Sequence, residues 1–208
     1  MALQQTGERQ IAEQLEHIKP NHRNRYQFAI DMILRDIGPH AKVLDCACGV
    51  GYGTMMLAEQ LEHAHGFDVE PEAIAAAIRA YHLPNNTFKV CDLGDPAAWA
   101  EAIAGEAFDA IVSIETIEHL QDAEDLLARY AAQVPYLIAS VPNQTVVPFE
   151  KARHPFHFRH YTRSEFSELL QRHGFEIVTW ATQYDKIPGI VYEDADDGMG
   201  FIVAARRV

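Results

Sequence analysis

The segment Glu115-Thr-Ile-Glu118-His119 sets two carboxylates and an imidazole at spacings of three and four residues. Positions so spaced share one face of a helical turn, so Glu115, Glu118 and His119 can converge. A second source of imidazole is the run Arg153-His154-Pro155-Phe156-His157-Phe158-Arg159-His160-Tyr161-Thr162. Within it His157 is the favoured partner, and His154 and His160 are expected at the surface or behind it. Glu115, Glu118, His119 and His157 together are a suitable donor set for Mg²⁺, Mn²⁺ or Fe²⁺, and Zn²⁺ is also compatible. An ion held there would chelate adjacent hydroxyls and lower the pKa of one of them. Without a metal, His119 or His157 could act as general base, with Glu118 beside it. A purely structural role is the third reading.

The other chemically suggestive segment is Val43-Leu-Asp-Cys-Ala-Cys-Gly-Val-Gly-Tyr-Gly-Thr54. It is an apolar run ending in an acid, followed by glycines at alternate positions. Such a segment predicts a buried strand that turns sharply into a helix and leaves bare backbone beside the turn. Three acids sit at expected strand ends: Asp45, Asp68 and Asp92. Asp68 lies 19 residues beyond Gly49, where a ribose-binding acid belongs in a nucleotide-binding unit. Asp45 just upstream of the glycines would repel a pyrophosphate, but it could serve an ammonium through a hydrogen-bond network. The pair Cys46 and Cys48 fits buried packing better than a soft-metal site.

These groups need a frame, and the chain predicts one. Residues 8–37 read as helix in two pieces broken at Pro20-Asn21, with Tyr26, Phe28, Ile30, Ile33, Leu34 and Ile37 apolar in the second piece. Strands are expected at 41–46, 63–68, 87–90, 108–114 and 136–141. The helices between them run from about Tyr52 to Glu62, from Pro71, over Pro96–Ala104, and from about Asp122. Alternation of this kind predicts an α/β fold, a Rossmann-like seven-stranded, mostly parallel sheet with helices on both faces and an antiparallel last strand. Ligands bind such sheets beyond the carboxyl ends of the strands. After residue 141 a Pro- and His-rich loop (142–161) precedes a helix opened by the capping box Thr162-Arg-Ser-Glu165 and closed by Gly174. Two β-like stretches follow, 175–182 and 200–206. One domain over 1–208 is expected, made of a helical cap (1–38), a cofactor core (41–141) and a substrate loop with C-terminal strands (142–208).

With these motifs in place, the chain resembles the class I S-adenosylmethionine-dependent methyltransferases along nearly all its length. Val43–Gly53 resembles that family's first motif, Gly66-Phe67-Asp68 its ribose acid, Cys91-Asp92-Leu93 its adenine contact and Phe108–Val112 its fourth strand. The resemblance implies S-adenosyl-L-methionine as cofactor, with Gly49 and Gly51 beside its methionine part. It also implies Asp68, followed by Val69, on the ribose and Asp92, followed by Leu93, on the adenine amino group. Asp45, Cys46 and Glu115 complete the cofactor set so implied. One departure is the absence of a Pro-Gly-Gly turn before the fifth strand, where Ala131-Ala-Gln-Val-Pro135 runs straight into Tyr136. The Glu-x-x-Glu-His pattern with a downstream His resembles metal-dependent members, among them small-RNA 2′-O-methyltransferases and a quinone-biosynthesis O-methyltransferase.

Thr6-Gly-Glu-Arg9, Asn21–Ala29 and Pro155-Phe156-His157 before Tyr161-Thr162 resemble a subset associated with glycan assembly. By that analogy the acceptor is a sugar or another small hydroxylated molecule, methylated on oxygen. An amino-sugar N-methyltransferase, a metal-dependent RNA 2′-O-methyltransferase and a non-catalytic cofactor-binding partner are the alternatives. Tyr26, Phe149, Phe156, Phe158 and Tyr161 could wall a ring-shaped acceptor, although core packing is their commoner use. Arg153 or Arg159 could hold an acidic group. With 30 acidic and 17 basic side chains, a balance of −13, nucleic acid is disfavoured as a partner. Three cysteines suggest no disulfide framework, and no signal-like or membrane-spanning run is evident. A cytoplasmic protein without membrane insertion is expected, its oligomeric state open, a homodimer included.

Overall fold

The computed structural model describes residues 12, 14–184, 190–191 and 195–208. Helix α1 (Pro20–Asp36) starts where the sequence predicts a break, because Pro20 occupies the first helical position. Proline there loses no intrahelical bond and its fixed φ suits the helix. Of the piece expected before it, the described part forms only a short 3₁₀ turn, Leu15–His17, and the stretch Thr6–Arg9 lies outside the described residues.

The remaining elements alternate as expected. They are β1 (Lys42–Cys46), α2 (Tyr52–Ala58), β2 (His63–Asp68), α3 (Pro71–Tyr81), β3 (Asn86–Val90), α4 (Pro96–Ala102), β4 (Ala110–Ile114), α5 (Ala123–Gln133) and β5 (Tyr136–Pro142). Then come α6 (Arg163–Arg172), β6 (Phe175–Gln183), a two-residue β7 (Ile190–Val191) and β8 (Gly200–Arg207). Helix α2 stops four residues short of the expected Glu62, for a tertiary reason. The Asn85 amide donates to the carbonyls of Ala58 at 2.7 Å and Leu61 at 3.2 Å, capping the helix from a distant loop. The capping box at Thr162 and Glu165 forms as predicted.

The strand order is β3-β2-β1-β4-β5-β8-β6-β7. Strands β1 to β5 pair in parallel, and β8 runs antiparallel to both β5 and β6. Seven principal strands with one reversed thus match the expectation, and β7 adds a minimal edge. The chain leaves β1 toward β2 and β3 on one side, then returns to lay β4 and β5 on the other. This reversal opens a crevice at the carboxyl ends of β1 and β4.

Strand β1 is buried on both faces, and its period of two divides its side chains between two cores. Leu44 and Cys46 face a core with Phe67, Leu126, Leu127, Tyr130 and Phe166. Val43 joins the opposite core with Phe28, Ile33, Leu57, Val112 and Ile138. Among the described residues, no helix is long and apolar enough to cross a membrane.

Candidate active site

A cavity of about 280 Å³ opens at the carboxyl ends of the parallel strands. Of the cofactor residues expected from the sequence, Gly49, Asp68, Val69, Asp92, Leu93 and Glu115 line it. Asp68 ends β2 and clamps the bend: one carboxylate oxygen accepts the Gly49 N–H at 2.9 Å and the other the Glu70 N–H at 2.9 Å. Gly49 has φ +58°, and a Cβ there would meet nothing within 4 Å. Since Gly49 lines the cavity, its open side leaves bare backbone that a bound molecule could approach closely. At the end of β3, Asp92 accepts the Gly94 N–H at 2.8 Å. Ala47, Cys91, Thr116, Leu120 and Phe156 also line the cavity. Ala47, Cys91, Thr116 and Phe156 lie inside the motifs read from the sequence without having been singled out as cofactor residues, and Phe156 arrives from a loop far away in sequence.

Asp45, Cys46 and Gly51 are not among the residues that line this cavity. Asp45 is fully buried beneath the bend, where it accepts hydrogen bonds from the Tyr26 hydroxyl at 3.1 Å and the Thr54 hydroxyl at 2.7 Å. It thereby ties β1 to α1 and α2. Burial, opposed by those two bonds, pushes its carboxyl up to about 7. Cys46 faces the core, and burial pushes the Cys46 and Cys48 thiols up, so they stay protonated and serve packing. Gly51 has φ +89°, and a Cβ there would stand 2.6 Å from Ala77 and 2.7 Å from Phe88. Its bareness lets the bend pack on α3 and β3.

The acidic and imidazole groups assemble at the end of β4. Glu115 holds φ +50°, a strained conformation for a side-chain-bearing residue and of a kind that collects at functional sites. It is held there by Ser140, whose hydroxyl accepts the Glu115 N–H at 2.9 Å and donates to its carboxylate at 2.9 Å, and by Arg25 at 3.6 Å. Burial raises the Glu115 pKa, but Arg25 and Ser140 outweigh it and leave the carboxyl below its ordinary value. Three residues on, in the 3₁₀ turn Ile117–His119, Glu118 is wholly buried. Among the described residues, neither of its carboxylate oxygens has a hydrogen-bond partner. Burial first, and the charge of Glu115 second, hold its carboxyl well above the usual range.

A ligand atom of Glu118, one of His119 and one of His157 lie within 4.8 Å of one another. The structure thus gathers three of the four expected metal ligands, while Glu115 stays with Arg25 and Ser140. The loop carrying His157 returns over the strand ends because the Phe158 N–H donates to the Glu118 carbonyl at 2.7 Å and His119 Nδ1 bonds the Phe156 carbonyl at 3.2 Å. An orphaned buried carboxylate beside two imidazoles fits a divalent cation in donor chemistry.

A second cavity of about 190 Å³ shares Glu115 with the first. Its walls include Asn21, Arg25, His154, His157, His160, Gln183 and Tyr184 beside the apolar Pro142, Val147 and Met199. The predicted aromatic wall does not form around one cavity. Tyr26 and Tyr161 are core, Phe156 borders the cofactor cavity, and exposed Phe158 lies under the Lys151 ammonium. Arg153 and Arg159 pair with Glu150 and Glu165 at the surface. His160, expected at the surface or behind the site, is 3% exposed and stands behind His157 at 2.7 Å.

Comparison with known proteins agrees with this geometry. A family model described as a methyltransferase domain matches residues 15–179. A Mycolicibacterium smegmatis protein named "Probable S-adenosylmethionine-dependent methyltransferase" is 29% identical over 142 residues, covering 65% of this chain and 52% of that protein. The chain thus spans about half the length of that curated relative. Magnesium protoporphyrin IX methyltransferase from Synechocystis PCC 6803, solved with S-adenosylhomocysteine, superposes with TM-score 0.66 at 17% identity, over 96% of this chain and 90% of that one. The N-methyltransferase NodS from Bradyrhizobium japonicum WM9 gives TM-score 0.67 at 18% identity, over 91% and 89%. At such identities these two structures share the fold.

Proposed function

Because the chain belongs to the class I S-adenosylmethionine-dependent methyltransferases, we propose that it methylates a hydroxyl of a small polar acceptor such as a sugar. One observation carries the choice of reaction site: the partnerless buried Glu118 carboxylate, set against His119 and His157 where the two cavities adjoin. The hydrogen-bonding side chains on the wall of the second cavity support a compact hydroxylated acceptor, and the −13 charge argues against RNA.

S-adenosylmethionine supplies an electrophilic methyl on sulfonium, which an acceptor oxygen takes in line as the C–S bond breaks and its electrons return to sulfur. Asp68 receives the ribose hydroxyls, Asp92 the adenine amino group, and Gly49 leaves room for the methionine part. A Mg²⁺, Mn²⁺, Fe²⁺ or Zn²⁺ ion held by Glu118, His119 and His157 would acidify the acceptor hydroxyl. Glu115, fixed by Arg25 and Ser140, keeps a negative charge between the cavities that favours a cationic sulfonium. The imidazoles of His119 and His157 also provide the route for the departing proton in a metal-free site. Positioning supplies most of the acceleration.

The test is cofactor turnover on a panel of sugars and nucleotide sugars, before and after chelation and after adding back each ion. Glu118→Gln is expected to lower turnover about a hundredfold while calorimetric affinity for S-adenosylmethionine stays within about twofold. Full turnover in Glu118→Gln or His119→Ala would refute the assigned site. Cofactor binding without turnover on any acceptor would favour the non-catalytic reading.

A further inference from the structure

The donor pattern around His157 is settled by the residue behind it. His160 Nδ1 lies 2.6 Å from the Val147 carbonyl, which can only accept, so His160 Nδ1 carries the proton. A neutral imidazole protonated on Nδ1 has its lone pair on Nε2. That Nε2 stands 2.7 Å from His157 Nδ1, and two ring nitrogens at such a distance share a single proton. His157 must therefore donate from Nδ1, which leaves its own lone pair on Nε2. At mildly alkaline pH both imidazoles are neutral, as this two-bond chain requires.

The chain is anchored at its far end. Just beyond β5, Asn143 is wholly buried and donates to the Asp196 and Gly198 carbonyls at 2.8 Å each. Its own backbone carbonyl accepts the Val147 N–H at 2.8 Å, which tethers the residue whose carbonyl meets His160. Phe149 packs edge-on against the His160 ring at 5.6 Å, and His154 stacks on His157 at 5.5 Å.

We infer that His160 is a positioning residue that locks His157 as its Nδ1–H tautomer, so that His157 meets Glu118 and His119 with a lone pair rather than an N–H. The opposite tautomer could neither take a proton nor ligate a cation. The consequence for turnover rests on the proposed reaction site; the tautomer itself does not. Residues that orient a functional imidazole in this way typically change activity by tenfold to a hundredfold when removed.

The experiment is long-range ¹H–¹⁵N NMR of the full chain labelled in histidine, at mildly alkaline pH and free of metal, on the wild type, His160→Phe and His160→Gln. The wild type is expected to show His157 protonated on Nδ1. In His160→Phe that preference is lost and turnover drops roughly tenfold to a hundredfold, with cofactor affinity unchanged. In His160→Gln, whose amide both accepts and donates, tautomer and most of the turnover return. A wild-type His157 protonated on Nε2, or a tautomer indifferent to His160→Phe, overturns the inference. If His160→Phe does not fold, the wild-type spectrum and His160→Gln still decide it. A correct tautomer in a protein without any turnover would instead refute the proposed function and leave the inference standing.

Discussion

Replacing Asp45 by asparagine should remove a pH dependence of stability that the fold builds into the base of the cofactor bend. Asp45 is fully buried, with only the Tyr26 and Thr54 hydroxyls on its carboxylate. Burial raises it from 3.8 to about 7 in the folded chain. The native state therefore binds this proton more tightly than the unfolded state does. The resulting stability is fully present below about pH 3.8 and is lost as pH rises through about 7. The interval is roughly three pH units, each worth about 1.4 kcal/mol, or up to about 4 kcal/mol in all. Asparagine keeps the shape and cannot ionise, and both hydroxyls can turn to suit its amide.

The assay is urea unfolding of wild type and Asp45→Asn between about pH 4 and pH 8, read as the difference between the two proteins. Buried His65 and half-buried His22 and His157, lowered to about 4, act in the opposite sense. Their stabilisation is present above about 6.5 and fades as pH falls through about 4. Being common to both proteins, they cancel in the difference. Asp45→Asn should gain relative stability steadily from acid to neutral pH. A flat difference, or one that favours the wild type as pH rises, would refute the assigned burial cost.

Asp68→Asn replaces an acceptor of two backbone N–H groups by a side chain with one acceptor oxygen, and it also weakens the bonds expected to the ribose. Charge-assisted bonds contribute about 1.5–3 kcal/mol each, so calorimetry should show affinity for S-adenosylmethionine reduced by roughly a hundredfold; affinity within threefold of wild type would contradict the assignment. Gly53→Ala places a methyl 2.0 Å from the Tyr26 ring, and despite alanine's better helix propensity it should destabilise by at least about 2 kcal/mol. An unchanged or raised melting temperature would show that the ring can yield.

The alternating strands and helices were legible because their causes are local. Apolar runs end in acids, Pro71 and Pro96 open helices, and Thr162 with Glu165 caps one. The same holds for the bend after β1, since glycines after an apolar run announce bare backbone at a strand end whatever surrounds them. Pro20 was legible only in part: its sequence marks a discontinuity, and the residues around it decide whether a helix breaks there or begins.

What each polar group does was another matter. Asp45 reads like Asp68 in sequence, yet the first is sealed under Tyr26 while the second borders the cavity. Glu115 and Glu118 lie on the same short segment, but Arg25 and Ser140, brought in from α1 and β5, claim one carboxylate and leave the other without a partner. His160 gains its place behind His157 through the Val147 carbonyl and the Phe149 ring, contacts that no local pattern announces. By itself, then, the sequence determined the order of elements, the cofactor crevice and the residue types within reach of it. Burial, partners and proton positions were decided by tertiary structure, because desolvation and hydrogen bonding depend on neighbours distant along the chain.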